Sequence, residues 1–79
     1  MIQTEIIDVN IDKIHPNRRL LFDQEVIFRL CVDIQDRGLL EPIEVEPVEY
    51  WFEIINGEKR WRACKKIGMR RVTVKIFGL

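Results

Sequence analysis

Apolar and polar residues along this chain repeat with two different periods, and the switches between them divide it into six elements. From Gln3 to Val9 isoleucine-rich positions alternate loosely, which predicts a short strand. His15-Pro16-Asn17 predicts a loop, because proline fixes its own φ and drives the preceding residue out of the helical region. Asp23 stands where an N-cap belongs, and Val26, Ile27, Leu30, Cys31 and Ile34 follow at helical spacing. With Gly38 as a left-handed stop, a helix is predicted over Gln24–Arg37. Ile43 to Val48 alternates with period two, and Trp51 to Ile55 is a second apolar run. The Glu49-Tyr50 pair between them predicts a tight hairpin, and Pro47, which has no N–H to donate, predicts a sheet edge at that point. Asn56-Gly57 breaks the second strand. Trp61, Cys64 and Ile67 then mark one face of a helix over Glu58–Ile67, closed by Gly68, and Val72 to Phe77 alternates as a last strand. The order strand, helix, strand, strand, helix, strand is that of an α+β fold: a small mixed sheet with two main helices on one face.

At 79 residues the chain is expected to be a single domain spanning 1–79. Its composition, 47% hydrophobic and 33% charged, is that of a folded protein and not a disordered one. No apolar run approaches the roughly 18–20 residues of a membrane span, and the opening Met1-Ile2-Gln3-Thr4 lacks the basic patch and apolar stretch of a signal peptide. A cytoplasmic location is expected. Cys31 and Cys64 are too few for a disulfide scaffold or a zinc site. Both fall on apolar stripes and read as small core residues. His15, the only histidine, has no sequence-evident partners for a triad or metal centre.

Charge changes the picture through its position. Thirteen basic and thirteen acidic residues cancel, yet Met1 to Asn56 holds twelve acids and five bases, whereas Gly57 to Leu79 holds eight bases and only Glu58 as an acid. Such asymmetry suggests a local anion site in an otherwise acidic body. The alternative is a solvated helix face whose cations pair with the acidic half.

The segment able to carry chemistry is Ile54-Ile55-Asn56-Gly57-Glu58-Lys59-Arg60-Trp61-Arg62-Ala63. A strand enters a glycine turn and leaves it directly as a helix. Helix starts present unpaired N–H groups and about half a positive charge, and glycine allows close backbone approach. Lys59, Arg60 and Arg62 add cations suited to phosphate. They oppose the helix dipole, a local conflict that favours a functional explanation. Glu58 suits the dipole, and could orient an arginine, hold Mg²⁺ or act as a base toward a hydroxyl. No Walker lysine motif or dinucleotide glycine fingerprint is present. On spacing alone a phosphate-binding helix start and a structural turn remain open, and Trp61 reads as core more readily than as a stacking platform.

Gly57-Glu58-Lys59-Arg60-Trp61-Arg62-Ala63 closely resembles the GERRxRA signature of the ParB N-terminal domain, in the superfamily that joins ParB-like proteins and sulfiredoxin. Three further stretches are similar to that family in the same order. Ile11 to Asn17 resembles its opening, Ile34 to Ile43 its helix end and following loop, and Ile67 to Val74 its close. The resemblance implies a nucleotide-binding switch module acting in DNA partition or in plasmid and chromosome maintenance. CTP, or another nucleoside triphosphate, would be the cofactor, with Mg²⁺. Gly57, Glu58, Lys59, Arg60 and Arg62 would cradle the triphosphate, with Glu58 as the catalytic or metal-binding candidate. Gly38, Leu39, Leu40 and Pro42 would lie near base and ribose, and Arg19 or Arg18 would stand in for the arginine of the family's QPR segment. An Arg60→Ala change is expected to abolish triphosphate binding with little loss of fold.

Three departures matter. Lys59 replaces an arginine, keeping charge but losing the bidentate fork. Asp33 replaces a common serine. The chain stops at Leu79, where ParB proteins continue to an ENxxR nucleotide motif, a helix-turn-helix and a dimerisation domain. It is therefore a stand-alone domain or part of a longer protein. Contact with DNA is expected only through other domains or protein partners, a homodimer is the further partner expected, and the location would be nucleoid- or plasmid-associated. Slow CTP hydrolysis fits the resemblance. Sulfiredoxin-type reduction does not, since Glu58 occupies the position of the reactive cysteine. The alternatives are a nucleotide-dependent enzyme of the superfamily, such as a small-molecule kinase or ParB-like nuclease, and a nonspecific nucleic-acid binder using the Lys59–Lys75 strip.

Overall fold

The computed structural model describes residues 4–16 and 22–79. The first strand, β1, runs Thr4–Asn10, and a 3₁₀ turn over Ile11–Lys13 follows, capped by Asn10, whose side chain accepts from the Asp12 amide at 2.9 Å. Ile14–His15 then forms β2, where sequence pattern predicts only a loop. Two residues carry no readable period, and their ladder is parallel to Trp51–Asn56 (β4), far along the chain. Helix α1 spans Gln24–Arg37 as expected: Asp23 accepts from the Glu25 amide at 2.8 Å, and the Gly38 amide donates to the Ile34 carbonyl with Gly38 at φ 79°. Strand β3 is Ile43–Val48, α2 is Glu58–Lys66, and β5 is Arg71–Phe77.

The five strands form one mixed sheet in the order β1-β5-β3-β4-β2. β3 runs parallel to β5 and antiparallel to β4. Although β3 is interior, its ladder to β5 covers only Ile43 to Val45, so Pro47 pairs toward β4 alone, at Phe52. The local edge that proline requires is met by outrunning a neighbour. The two-residue turn at Glu49-Tyr50 places Glu49 at φ 52°, the left-handed conformation that hairpin twist demands even without asparagine or glycine.

One sheet face is apolar. Val9, Ile43, Val45, Ile54, Val72, Val74 and Ile76 are buried in a single cluster with Ile27, Cys31 and Ile34 of α1 and Trp61, Ala63 and Cys64 of α2. The opposite face carries Asp8, whose carboxylate accepts from the Thr73 hydroxyl at 2.7 Å, and His15, whose ring stacks on Trp51 at 5.6 Å. Near its end β4 contains a bulge: Val45 pairs with Ile54 but Glu44 pairs with Asn56, leaving Ile55 as an extra, exposed residue. Without it Asn56 would point into the core. With it, Asn56 Nδ2 donates to Glu44 Oε1 at 3.1 Å on the polar face, and the chain turns into α2.

Candidate functional site

Gly57 makes the turn from β4 into α2 at φ 107° and ψ 22°, a left-handed conformation that L side chains rarely adopt. A Cβ there would meet the Ile43 Cα and Arg60 Nη2 at 3.5 Å, which is ordinary contact, so backbone conformation, not space, demands glycine. The first intrahelical bond runs from the Trp61 amide to the Gly57 carbonyl at 2.9 Å, and no side chain caps the first turn. That turn borders a cleft of about 340 Å³ between the C-terminal half of α1 and the 38–42 loop. Leu30, Asp33, Ile34, Gly38, Leu39, Leu40 and Glu41 line it from one side, Lys59 and Arg60 from the other. Of the loop residues, Leu39 packs against the core and Leu40 is exposed.

Arg60 spans the cleft. Its Nη1 donates to Glu41 Oε2 at 3.1 Å, to the Glu41 carbonyl at 3.4 Å and to the Pro42 carbonyl at 3.5 Å, and its side chain is only 23% exposed. It is thus no simple solvent-facing arginine. Asp33, also in the cleft, pairs with Arg37 at 3.3 Å.

The three expected cations do not converge on one cavity. Residues two apart on a helix lie about 200° apart around its axis, which puts Arg60 and Arg62 on different sides. Arg62 borders a separate cleft of about 400 Å³ with Pro16, Gln24, Ile27, Trp61, Lys65 and Lys66. Its guanidinium lies 4.9 Å from the Phe22 ring centroid, and its Nε donates to Glu58 Oε2 at 3.2 Å. Lys59 sits between the two, bordering the Arg60 cleft while its ammonium is 5.6 Å from the same Phe22 ring. Glu58 is 9% exposed and is held as the partner of Arg62. Among the described residues no group of three His, Cys, Asp or Glu side chains could hold a metal ion. Glu58, the expected base or Mg²⁺ ligand, is the carboxylate that accepts from Arg62 in this ion pair. Arg18 and Arg19 lie outside the described residues.

Trp61 is core, as its spacing predicts, and its indole Nε1 is buried with no hydrogen-bond partner among the described residues. Both thiols are buried: Cys31 donates to the Ala63 carbonyl at 3.7 Å, and Cys64 is fully enclosed. Burial first, then the nearby Cys31, pushes the Cys64 thiol up to about 11 against an opposing pull from Arg60. A thiol so protonated is no nucleophile at neutral pH. Because the folded state holds this proton more tightly than the unfolded one, the associated stability is complete below about pH 9 and is lost as pH rises toward 11. The loss amounts to about 2–3 kcal/mol. Urea melts of the wild type and Cys64→Ala between pH 8 and 11 check this, the expected result being a shallower decline in the variant. No helix among the described residues is long and apolar enough to cross a membrane.

Comparison with known proteins adds three findings. The model of the ParB N-terminal domain family matches residues 1–78. The nucleoid occlusion protein of Oceanobacillus iheyensis is 39% identical over 77 residues, covering 91% of this chain and 27% of the relative, so the chain spans little more than a quarter of that protein's length. Two solved structures share the fold at 28% identity. One is the C-terminally truncated chromosome-partitioning protein ParB from Caulobacter crescentus complexed with CTP-gamma-S, at TM-score 0.86 over 95% of this chain and 45% of that one. The other is sulfiredoxin from Arabidopsis thaliana, at TM-score 0.82 over 91% and 83%.

Proposed function

The chain belongs to the ParB N-terminal domain family, and we propose that it is a nucleotide-binding switch module, taking CTP, that serves DNA partition or nucleoid occlusion. One observation carries the reading. Lys59 and Arg60 enter a cleft whose far wall is the 38–42 loop, directly after an uncapped helix start built on a left-handed glycine. Unpaired amides, the positive end of α2 and two cations offer a triphosphate charge-assisted hydrogen bonds. The 38–42 loop, half apolar, offers a wall for base and ribose. The likeness to a ParB protein solved with CTP-gamma-S supports nucleotide binding.

In this reading Glu58 positions Arg62 and performs no proton transfer, and no protein cage for Mg²⁺ is required. Contact with DNA falls to other domains or to partners. Reduction of a sulfinic acid is not proposed: position 58 is glutamate and both thiols are enclosed. Calorimetric titration with CTP, ATP and GTP, each with and without MgCl₂, tests the proposal, with a DNA duplex as comparator. Saturable binding with CTP tightest is expected. Absence of binding by every triphosphate, or duplex binding that alone survives, would remove it.

A further inference from the structure

Building on the nucleotide reading above, we infer that Glu41 is an internal competitor for the phosphate seat: its carboxylate occupies the Arg60 guanidinium, and an arriving triphosphate must displace it. All three acceptors around Arg60 converge on Nη1. Two are backbone carbonyls, of Glu41 and Pro42, fixed by the chain's entry into β3. They set where the guanidinium lies. The third is the Glu41 carboxylate, at the end of a rotatable side chain that is 79% exposed. It is the component able to leave. Nη2 of the same guanidinium lies against the Gly57 turn, within 3.5 Å of where a Cβ would be. Arg60 therefore links the loop to the Gly57 turn.

The other carboxylate of the cleft differs. Asp33 pairs with Arg37, a residue outside the cleft lining. Glu41 alone of the two neutralises a cation that the phosphates need. Its effect is twofold. It offers Arg60 a partner that a ligand has to outcompete, and once displaced it leaves a negative charge near a polyanion. Both effects weaken binding and hasten release, which sets a ceiling on affinity and suits a domain that must let its nucleotide go.

Glu41→Gln keeps length and removes charge, and because this side chain is exposed the lost ion pair should cost the fold no more than about 1 kcal/mol, a point checked by thermal melts. Calorimetry at low salt is expected to show CTP bound roughly tenfold tighter by E41Q than by the wild type, and the gain should shrink as added salt screens the charge. Glu25→Gln, the control, removes the same charge from an exposed i,i+4 pair with Arg29 outside the cleft lining, and should change affinity less than about twofold. Wild-type binding with no gain in E41Q overturns the inference and leaves the nucleotide reading intact. An equal gain in E25Q also overturns it, because bulk charge would then explain the effect. Binding by E41Q alone supports competition and removes nucleotide binding as a property of the wild-type domain. Binding by neither protein removes both.

Discussion

Arg60→Ala is expected to lower affinity for a nucleoside triphosphate by at least about a hundredfold while leaving a folded domain. Hydrogen bonds to charged groups contribute about 1.5–3 kcal/mol each, and a guanidinium reaching phosphate makes two in one plane. Loss of both amounts to roughly 3–6 kcal/mol, or about two to four powers of ten. The cost to the fold is smaller but not nil. Arg60 is mostly enclosed and tied to the 38–42 loop, yet the carbonyl contacts at 3.4 and 3.5 Å are long and the carboxylate partner is exposed. About 1 kcal/mol is expected from such a pair, which for a domain of this size lowers the melting temperature by about 4–8 °C. Titration calorimetry and a thermal melt on the same sample separate the two effects. Arg60→Lys should fall between, since it retains charge without the planar fork. Undiminished binding by Arg60→Ala would refute the placement of the phosphates.

Ile43→Ala is expected to have the largest effect on stability. Ile43 opens β3 with no exposed surface, shares the core with both helices, and lies directly beneath Gly57. Truncating an isoleucine in such a position costs about 2–5 kcal/mol, because the transfer term and the cavity term add. A chain of this length has on the order of 4–12 kcal/mol in total, so the variant should lose a large share of its stability or fail to fold. Urea denaturation followed by circular dichroism reads this directly. Phe28→Ala, on the outer face of α1 where the ring is 64% exposed, is the contrasting case and should move stability by less than about 1 kcal/mol. Equal losses in both would mean that the core lies elsewhere.

Much of this architecture is legible in the order of residues, because burial on one face imposes the periods that strands and helices need. Asp23 and Gly38 bound α1 where side-chain capping and left-handed backbone place them, and the alternation from Ile43 and from Val72 follows the buried face of β3 and β5. What pattern misses depends on partners distant in sequence. β2 exists only through its ladder to β4, and the bulge at Ile55 only through the register with Glu44 and Val45. In the site, the glycine turn is readable, as is a role for Glu58 in orienting an arginine, which proves to be Arg62 at i+4, whereas the 38–42 loop enters only through the family resemblance. That Lys59, Arg60 and Arg62 form one cluster is what adjacency in sequence suggests and what 3.6 residues per turn forbids. The hold of Glu41 on Arg60 joins the 38–42 loop to α2 across nineteen positions, and neither composition nor period signals it.

The extra residue at Ile55 has a consequence for how this corner tolerates change. A bulge absorbs one residue without altering the pairs on either side, so shortening β4 there by one position would leave a residue opposite Glu44 and another opposite Val45 in unbroken alternation, with the exit into α2 on the same side of the sheet. The length of the corner is thus less strictly specified than its glycine, whose left-handed backbone no other residue readily adopts. A one-residue deletion between Ile54 and Gly57 would cost the added local twist and still leave the helix start facing the 38–42 loop.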